Sequence, residues 1–196
     1  MRIIAGTYRS RQLQAPAGMA TRPSSDRLRE TLFNVLAPRI EGAHFLDLYA
    51  GSGAVGLEAL SRGAAHVAFV EHAEAPLKSL RANLASLDIK AGFRIHASSM
   101  RTYLRKASSE TWDIVFLDPP WDAADEYQST LAWLGRDEGA SFLTPDALVI
   151  AEHRRKDRLA DSYGRLARTR LLEQGDAALS FYAIPATAAI DTAASN

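Results

Sequence analysis

Asp47-Leu48-Tyr49-Ala50-Gly51-Ser52-Gly53-Ala54-Val55-Gly56 is the stretch that decides the fold. Residues 45–49, apolar but for Asp47, read as a strand that ends at a glycine turn. Residues 54–61 behind the turn read as a helix that Gly63 ends. Gly51, Gly53 and Gly56 satisfy G-x-G-x-x-G, and Glu71 stands twenty residues beyond Gly51. Glycines at a strand-to-helix turn let a ligand approach the backbone. A carboxylate ending the next strand can accept from ribose hydroxyls.

Working outward, the alternation continues. Residues 67–70 read as a second strand, followed by a helix over about 75–87. A third strand over 93–96 precedes a short helix over 100–106. A fourth strand covers 114–117, a helix about 125–135, and a fifth strand 147–151. Residues 166–172 and 179–184 read as a closing antiparallel pair. Strands alternating with helices imply a mostly parallel sheet with right-handed crossovers. The fold class expected is therefore α/β, with seven strands and helices on both faces. Ahead of it, residues 1–20 alternate weakly and contain Gly6, Pro16 and Gly18, which predicts a short hairpin. Ser24 or Ser25 is placed to cap a helix that buries Leu28, Leu32, Phe33, Val35 and Leu36 and stops before Pro38. Residues 1–40 thus form an N-terminal extension and 41–185 the main domain. Residues 186–196 are small and polar and are expected to be a disordered tail.

The second informative stretch is Asp118-Pro119-Pro120-Trp121, at the C-terminal end of the fourth strand. A carboxylate and a backbone carbonyl can each accept a hydrogen bond from an NH2 group. The prolines fix φ and remove two N–H donors, so the neighbouring carbonyls point in defined directions. The aromatic offers a flat face to a planar ring. Together they make a receptor for a heterocyclic base with an exocyclic amine.

The glycine loop with Glu71 alone suits any adenosine-bearing cofactor, NAD included. Asp47 narrows the choice. It lies four residues before Gly51, where a pyrophosphate would meet a carboxylate but an ammonium group would be welcome. The Asp118 segment has no part in hydride transfer. S-adenosylmethionine has the ammonium and the ribose and carries no phosphate.

Composition bounds the rest. The chain has 196 residues, enough for one α/β domain, and no apolar run of membrane-spanning length. Cysteine is absent and the N-terminus lacks the apolar region of a signal peptide, so a cytoplasmic location is expected. The scattered His66, His72, His96 and His153 lack metal-ligand spacing, and no metal is expected. Net charge is zero, but it is unevenly spread. Residues 1–40 hold seven arginines against Asp26 and Glu30, and 154–170 hold six arginines and Lys156 against Asp157 and Asp161, so each segment carries +5. Residues 41–150 hold nine basic and fifteen acidic side chains, giving −6. An acidic core between two arginine-rich segments suits a catalytic centre with arms for phosphates; solvated surface charge is the plainer alternative.

Asp47 to Gly53 with Asp118 to Trp121 resembles the class I, Rossmann-like methyltransferases that modify exocyclic amines of bases. Arg2-Ile3-Ile4-Ala5-Gly6 and Arg22-Pro23-Ser24-Ser25-Asp26-Arg27-Leu28-Arg29-Glu30-Thr31-Leu32-Phe33-Asn34 narrow the resemblance to the bacterial 16S rRNA (guanine(966)-N(2))-methyltransferase family. The resemblance implies a monomeric enzyme that uses S-adenosylmethionine to methylate guanine N2 in 16S ribosomal RNA, within a small-subunit particle. Asp47, Tyr49, Gly51, Ser52 and Gly53 would line the cofactor and Glu71 would bind its ribose. Asp118, Pro119, Pro120 and Trp121 would hold the guanine. Arg9, Arg11, Arg22, Arg27 and Arg29 would face RNA. Such enzymes usually carry an acidic residue after the third strand to accept from the adenine amine. Here Ser98, Ser99 and Met100 stand there, and a serine accepts more weakly. Adenine-N6 methylation, NAD-dependent oxidation and non-catalytic RNA binding are the alternative functions.

Overall fold

The computed structural model describes residues 1–16, 26–106, 110–121 and 123–185. In chain order the elements are α1 (Asp26–Leu36), β1 (His44–Asp47), α2 (Ala54–Ser61), β2 (His66–Glu71), α3 (Glu74–Ser86), β3 (Phe93–Ala97) and α4 (Met100–Arg105). There follow β4 (Trp112–Leu117), α5 (Ala124–Leu134), α6 (Asp137–Ala140), β5 (Leu143–Arg154), β6 (Ser162–Tyr163), β7 (Leu166–Gln174) and β8 (Ala177–Ala183). One sheet runs in the order β3-β2-β1-β4-β5-β8-β7-β6. β1 to β5 pair in parallel, and β5, β8, β7 and β6 pair antiparallel. The sheet therefore has eight strands where the sequence predicts seven. The additional one, β6, is two residues long, too short for periodicity to register.

Alternation along each strand divides the core between two faces. Phe45, Phe69, Ile114 and Phe116 point to the face covered by α1, α2 and α3, through Phe33, Leu57 and Leu80. Leu46, Val70, Val115 and Leu117 point to the other, covered by α4 and α5 through Tyr103, Tyr127 and Leu131. Residues two apart share a face in a strand, so each central strand serves both layers and reads as a continuous apolar run.

The N-terminal segment makes a hairpin-like turn joined by a single antiparallel bridge, Arg2 to Gln12. It packs onto α2. Both carboxylate oxygens of buried Glu58 accept from its backbone, from Ile4 N–H at 2.7 Å and Ala5 N–H at 3.0 Å. Ile3 and Leu13 join the core that holds Phe45 and Phe69. α1 buries Leu28, Leu32, Phe33 and Leu36 as predicted, leaves Val35 half-buried, and buries Arg29 as well. Gly18, Ser24, Ser25 and the tail from 186 lie outside the described residues.

From β1 the chain winds outward to β3 and then crosses back to lay β4 on the far side of β1. At that reversal the connections at the C-terminal ends of β1 and β4 diverge and open a crevice, where α/β sheets bind ligands. Register sets Asp47 opposite Phe116, so the glycine loop and the Asp118 segment leave the sheet side by side. Among the described residues no helix is long and apolar enough to cross a membrane.

Candidate active site

The glycine loop is built from backbone contacts. Ala50 N–H donates to Val70 C=O at 3.0 Å and Gly53 N–H to Ala50 C=O at 2.7 Å, curling the chain over the end of β2. Gly51 and Gly53 have φ of 54° and 86°. Gly56 sits where α2 crosses β2, and a Cβ there would lie 2.3 Å from the Phe69 ring. A side chain at that position would force the helix off the sheet.

Two carboxylates flank the loop. Asp47 is 1% exposed. Its Oδ2 accepts from Gly56 N–H at 3.2 Å, while Oδ1 is buried with no hydrogen-bond partner. Burial pushes this carboxyl up to about 7, aided by the nearby Glu71 charge and opposed by the Gly56 and Tyr49 amides. Glu71 ends β2 as predicted. Its Oε2 accepts from Gly51 N–H at 3.0 Å and its Oε1 from the His72 and Ala73 amides at 2.7 and 2.8 Å. Glu71 thereby fixes the first glycine.

Across the crevice, Pro119 is buried and Pro120 exposed, with Asp118 and Trp121 half-buried. Tyr127 of α5 holds this segment to β5. Its hydroxyl lies 2.9 Å from Glu152 C=O and 3.3 Å from Pro119 C=O. Burial and then the Asp118 charge push that hydroxyl up, so it stays a donor. Pro120 C=O accepts from Ala123 N–H at 2.8 Å, closing a turn that presents Trp121. The strand reversal thus places the glycine loop and a buried, unpartnered carboxylate oxygen beside an acid–carbonyl–aromatic segment.

Known proteins resemble this chain over most of its length. The family model described as "Conserved hypothetical protein 95" matches residues 1–183. The ribosomal RNA small subunit methyltransferase D of Escherichia coli (strain K12) is 45% identical over 78% of this chain and 74% of its own length. The protein of the same name from Haemophilus influenzae is 37% identical over 78% of each chain. The chain belongs to the ribosomal RNA small subunit methyltransferase D family of class I methyltransferases. Among solved structures, yhhF from Escherichia coli is 38% identical with a TM-score of 0.80, covering 93% of this chain and 96% of that one. A protein from Thermus thermophilus is 29% identical with a TM-score of 0.74, covering 92% of this chain and 98% of that one.

Several residues expected at the family's site are occupied differently. Tyr49 turns toward α5, donating to Glu126 Oε2 at 2.8 Å and lying 3.1 Å from the Thr130 hydroxyl. Ser99 is the N-cap of α4, accepting from Thr102 N–H at 3.3 Å, and its hydroxyl is 3.0 Å from that of Thr102. Met100 is buried, with its sulfur 3.5 Å from the Thr130 hydroxyl. Ser99 and Met100 therefore serve the helix and the core before any adenine. Ser52 presents its carbonyl inward, to the Asn83 amide at 2.9 Å.

The RNA-facing set needs one correction. Arg9, Arg11 and Arg27 are exposed, but Arg29 is 1% exposed and cannot reach a phosphate. Residue 29 falls on the same helical stripe as Leu32, Phe33 and Leu36. Its guanidinium donates to Arg2 C=O and to Asp26 at 2.9 Å and lies 4.0 Å from Glu58. Burial lowers its affinity for the proton against the pull of Asp26 and Glu58. Arg11 also donates to Ser86 C=O at 2.6 Å. Arg22 lies outside the described residues.

Sequence reading missed Asn83, Glu58 and Tyr127. Asn83 is fully buried and joins two segments: its amide donates to Ser52 C=O and to Gln14 C=O at 3.0 Å, and its oxygen accepts from Gln14 N–H at 2.7 Å. A signal existed, since Asn83 lies on the stripe Leu80, Leu84, Leu87, where a polar residue needs a buried partner. Glu58 carried the same signal in the apolar α2. Tyr127 carried none, because it reads as ordinary core.

Proposed function

We propose that this protein methylates the N2 amine of a guanine in 16S ribosomal RNA, using S-adenosylmethionine, with the RNA presented in a small-subunit particle. The observation that carries this reading is the crevice at the strand reversal, with the Asp47 glycine loop on one side and Asp118 to Trp121 on the other. Methyltransferase relatives named for small-subunit ribosomal RNA support the substrate. The buried, unpartnered Asp47 Oδ1 fits a cationic ligand and disfavours a pyrophosphate, which counts against NAD. In this reading Asp47 faces the ammonium, Glu71 holds Gly51 in place beside the ribose, and Gly51, where a Cβ would meet nothing within 4 Å, permits close approach, while Gly53 makes room for Leu80. Bound there, the cofactor would supply an electrophilic methyl group on a sulfonium.

The protein's own work is positioning. The guanine N2 lone pair is delocalised into the ring. Asp118 and the Pro119 carbonyl would accept from the two N–H groups, favouring a pyramidal nitrogen with its lone pair exposed. Tyr127 steadies the Pro119 carbonyl, and an oxygen has a second lone pair for the base. Trp121 would stack on the base once it leaves its RNA context. Holding the base and the cofactor in a fixed relation would supply much of the acceleration. Asp118 need not be a strong base, because the product ammonium is acidic and loses its proton late.

The test is methyl transfer to 16S RNA and to small-subunit particles, followed by mass analysis of nucleosides. N2-methylguanosine is the expected product; methylated adenosine, or no product on either substrate, would refute the proposal. Asp118→Ala should bind S-adenosylmethionine as the wild type does, yet turn over on the order of a hundredfold more slowly or worse.

A further inference from the structure

Resting on that reading, we propose that the groove between the β5–β6 connection and the β7–β8 turn seats the RNA backbone next to the target nucleotide. Trp121 would then be a platform open to a base from one side only. The groove has a volume of about 590 Å³ and is lined by Trp121, Arg154, Arg155, Lys156 and Arg158, with Glu173 near the end of β7 and Asp176 in the β7–β8 turn. Ligand pockets span about 300–1,000 Å³. β5 neighbours β4, with Leu117 opposite Ala151, so the chain leaving β5 at Arg154 runs beside the segment leaving β4 at Asp118.

The cations in the groove divide into two kinds. Arg154 Nε is 2.6 Å from Asp157, and its guanidinium carbon lies 6.0 Å from the centre of the Trp121 ring. That distance is at the outer edge of cation–π attraction, about 6 Å. Arg155 Nε is 3.2 Å from Glu173. These two are held and half-neutralised. Lys156 and Arg158 are exposed and, among the described residues, make no ion pair. Two anchored arginines thus shape the groove, and two uncommitted cations remain for phosphates.

Charge alone would make this an ordinary solvated surface. The aromatic ring changes the reading. A basic groove that tracks a backbone beside an aromatic face is how proteins hold single-stranded nucleic acid. Here the ring belongs to the segment that carries Asp118. Arg154 covers one face of Trp121, so a base stacks on the face turned away from it. The adjoining phosphates then fall toward Lys156 and Arg158. Arg154 acts on the base only through Trp121 and is a positioning residue.

The probe is a single-stranded RNA oligonucleotide in filter binding across a salt series, which requires no turnover. Lys156→Ala with Arg158→Ala should weaken binding and make the log–log salt slope shallower by about 1.4, at about 0.7 per phosphate contact on a single strand. Trp121→Ala should lose about fivefold or more in affinity and Trp121→Phe should recover most of it. Affinity for S-adenosylmethionine should not change, which shows that the variants are folded. Wild-type affinity and slope in the double variant would overturn the proposal and leave the groove to an acidic protein segment. The two readings fail separately. A wild-type protein that methylates no RNA, alongside a double variant with reduced salt-sensitive binding, sinks the enzymatic reading and keeps the groove. A double variant that binds and methylates RNA like the wild type does the reverse.

Discussion

Asp47 shows what a single residue costs this fold. A carboxylate 1% exposed, with one oxygen unpartnered and Glu71 nearby, titrates at about 7 instead of 3.8. The folded protein therefore binds a proton that the unfolded chain has released between about pH 4 and pH 7. Stability contributed by this group is present below pH 4 and is lost as pH rises through 7, by at most on the order of 4 kcal/mol. The cofactor-free protein should accordingly unfold at lower urea at pH 8 than at pH 5, after allowance for other groups. Asp47→Asn should remove most of that difference. The same variant should bind S-adenosylmethionine more weakly, having lost the charge that faces the ammonium. Equal pH dependence in variant and wild type would show that Asp47 is not the titrating group. The cost of burying a charge is tolerable at a site whose ligand supplies the opposite charge.

At the scale of elements, α2 and α3 tie the N-terminal segment to the glycine loop. Glu58 and Ser61 of α2 hold the backbone of residues 4–8, with Thr7 N–H donating to Ser61 C=O at 2.8 Å. Gly6 passes this helix end with φ of 84°, and a Cβ there would lie 1.8 Å from the Ser61 carbonyl oxygen. No other residue fits. Asn83 of α3 completes the link, bonding Gln14 on one side and Ser52 on the other. Asn83→Ala would strand buried backbone groups in both segments. It should cost about 2 kcal/mol in stability and also weaken cofactor binding, because Ser52 belongs to the loop. Urea titration and calorimetry on one preparation check both effects. A loss of stability with unchanged cofactor affinity would mean that Asn83 serves the core alone.

Over the whole molecule, neutrality hides a separation of charge. Two segments of +5 flank a core of −6. Folding spends part of the N-terminal charge internally, since Arg29 is buried against Asp26 and Glu58. Arg9, Arg11 and Arg27 stay exposed. If that face meets RNA, replacing these three by alanine should weaken binding and flatten the log–log salt slope by about 2, while cofactor affinity holds. A retained slope would identify them as solvated surface. Long-range steering by such patches acts on encounter rate and fades with salt.

The parallel sheet, the glycine loop, Glu71 at the end of β2 and the Asp118 segment at the end of β4 were all legible in the sequence. Each is a local pattern: an apolar run, a turn chemistry, a residue at a strand's end. Boundaries shifted by a few residues at most strand ends, and β6 escaped because two residues carry no period. The remainder was decided in three dimensions. That Arg29 is core, that Ser99 caps α4 and that Tyr49 faces Glu126 depend on what lies across the interface, which local spacing does not encode. The raised proton affinity of Asp47 depends on its burial and on the nearby Glu71 charge. The pairing of Trp121 with Arg154 joins the ends of two strands, and only the register of β4 on β5 brings them together. Sequence pattern states which chemistry the chain carries; packing decides which of those groups remain free to use it.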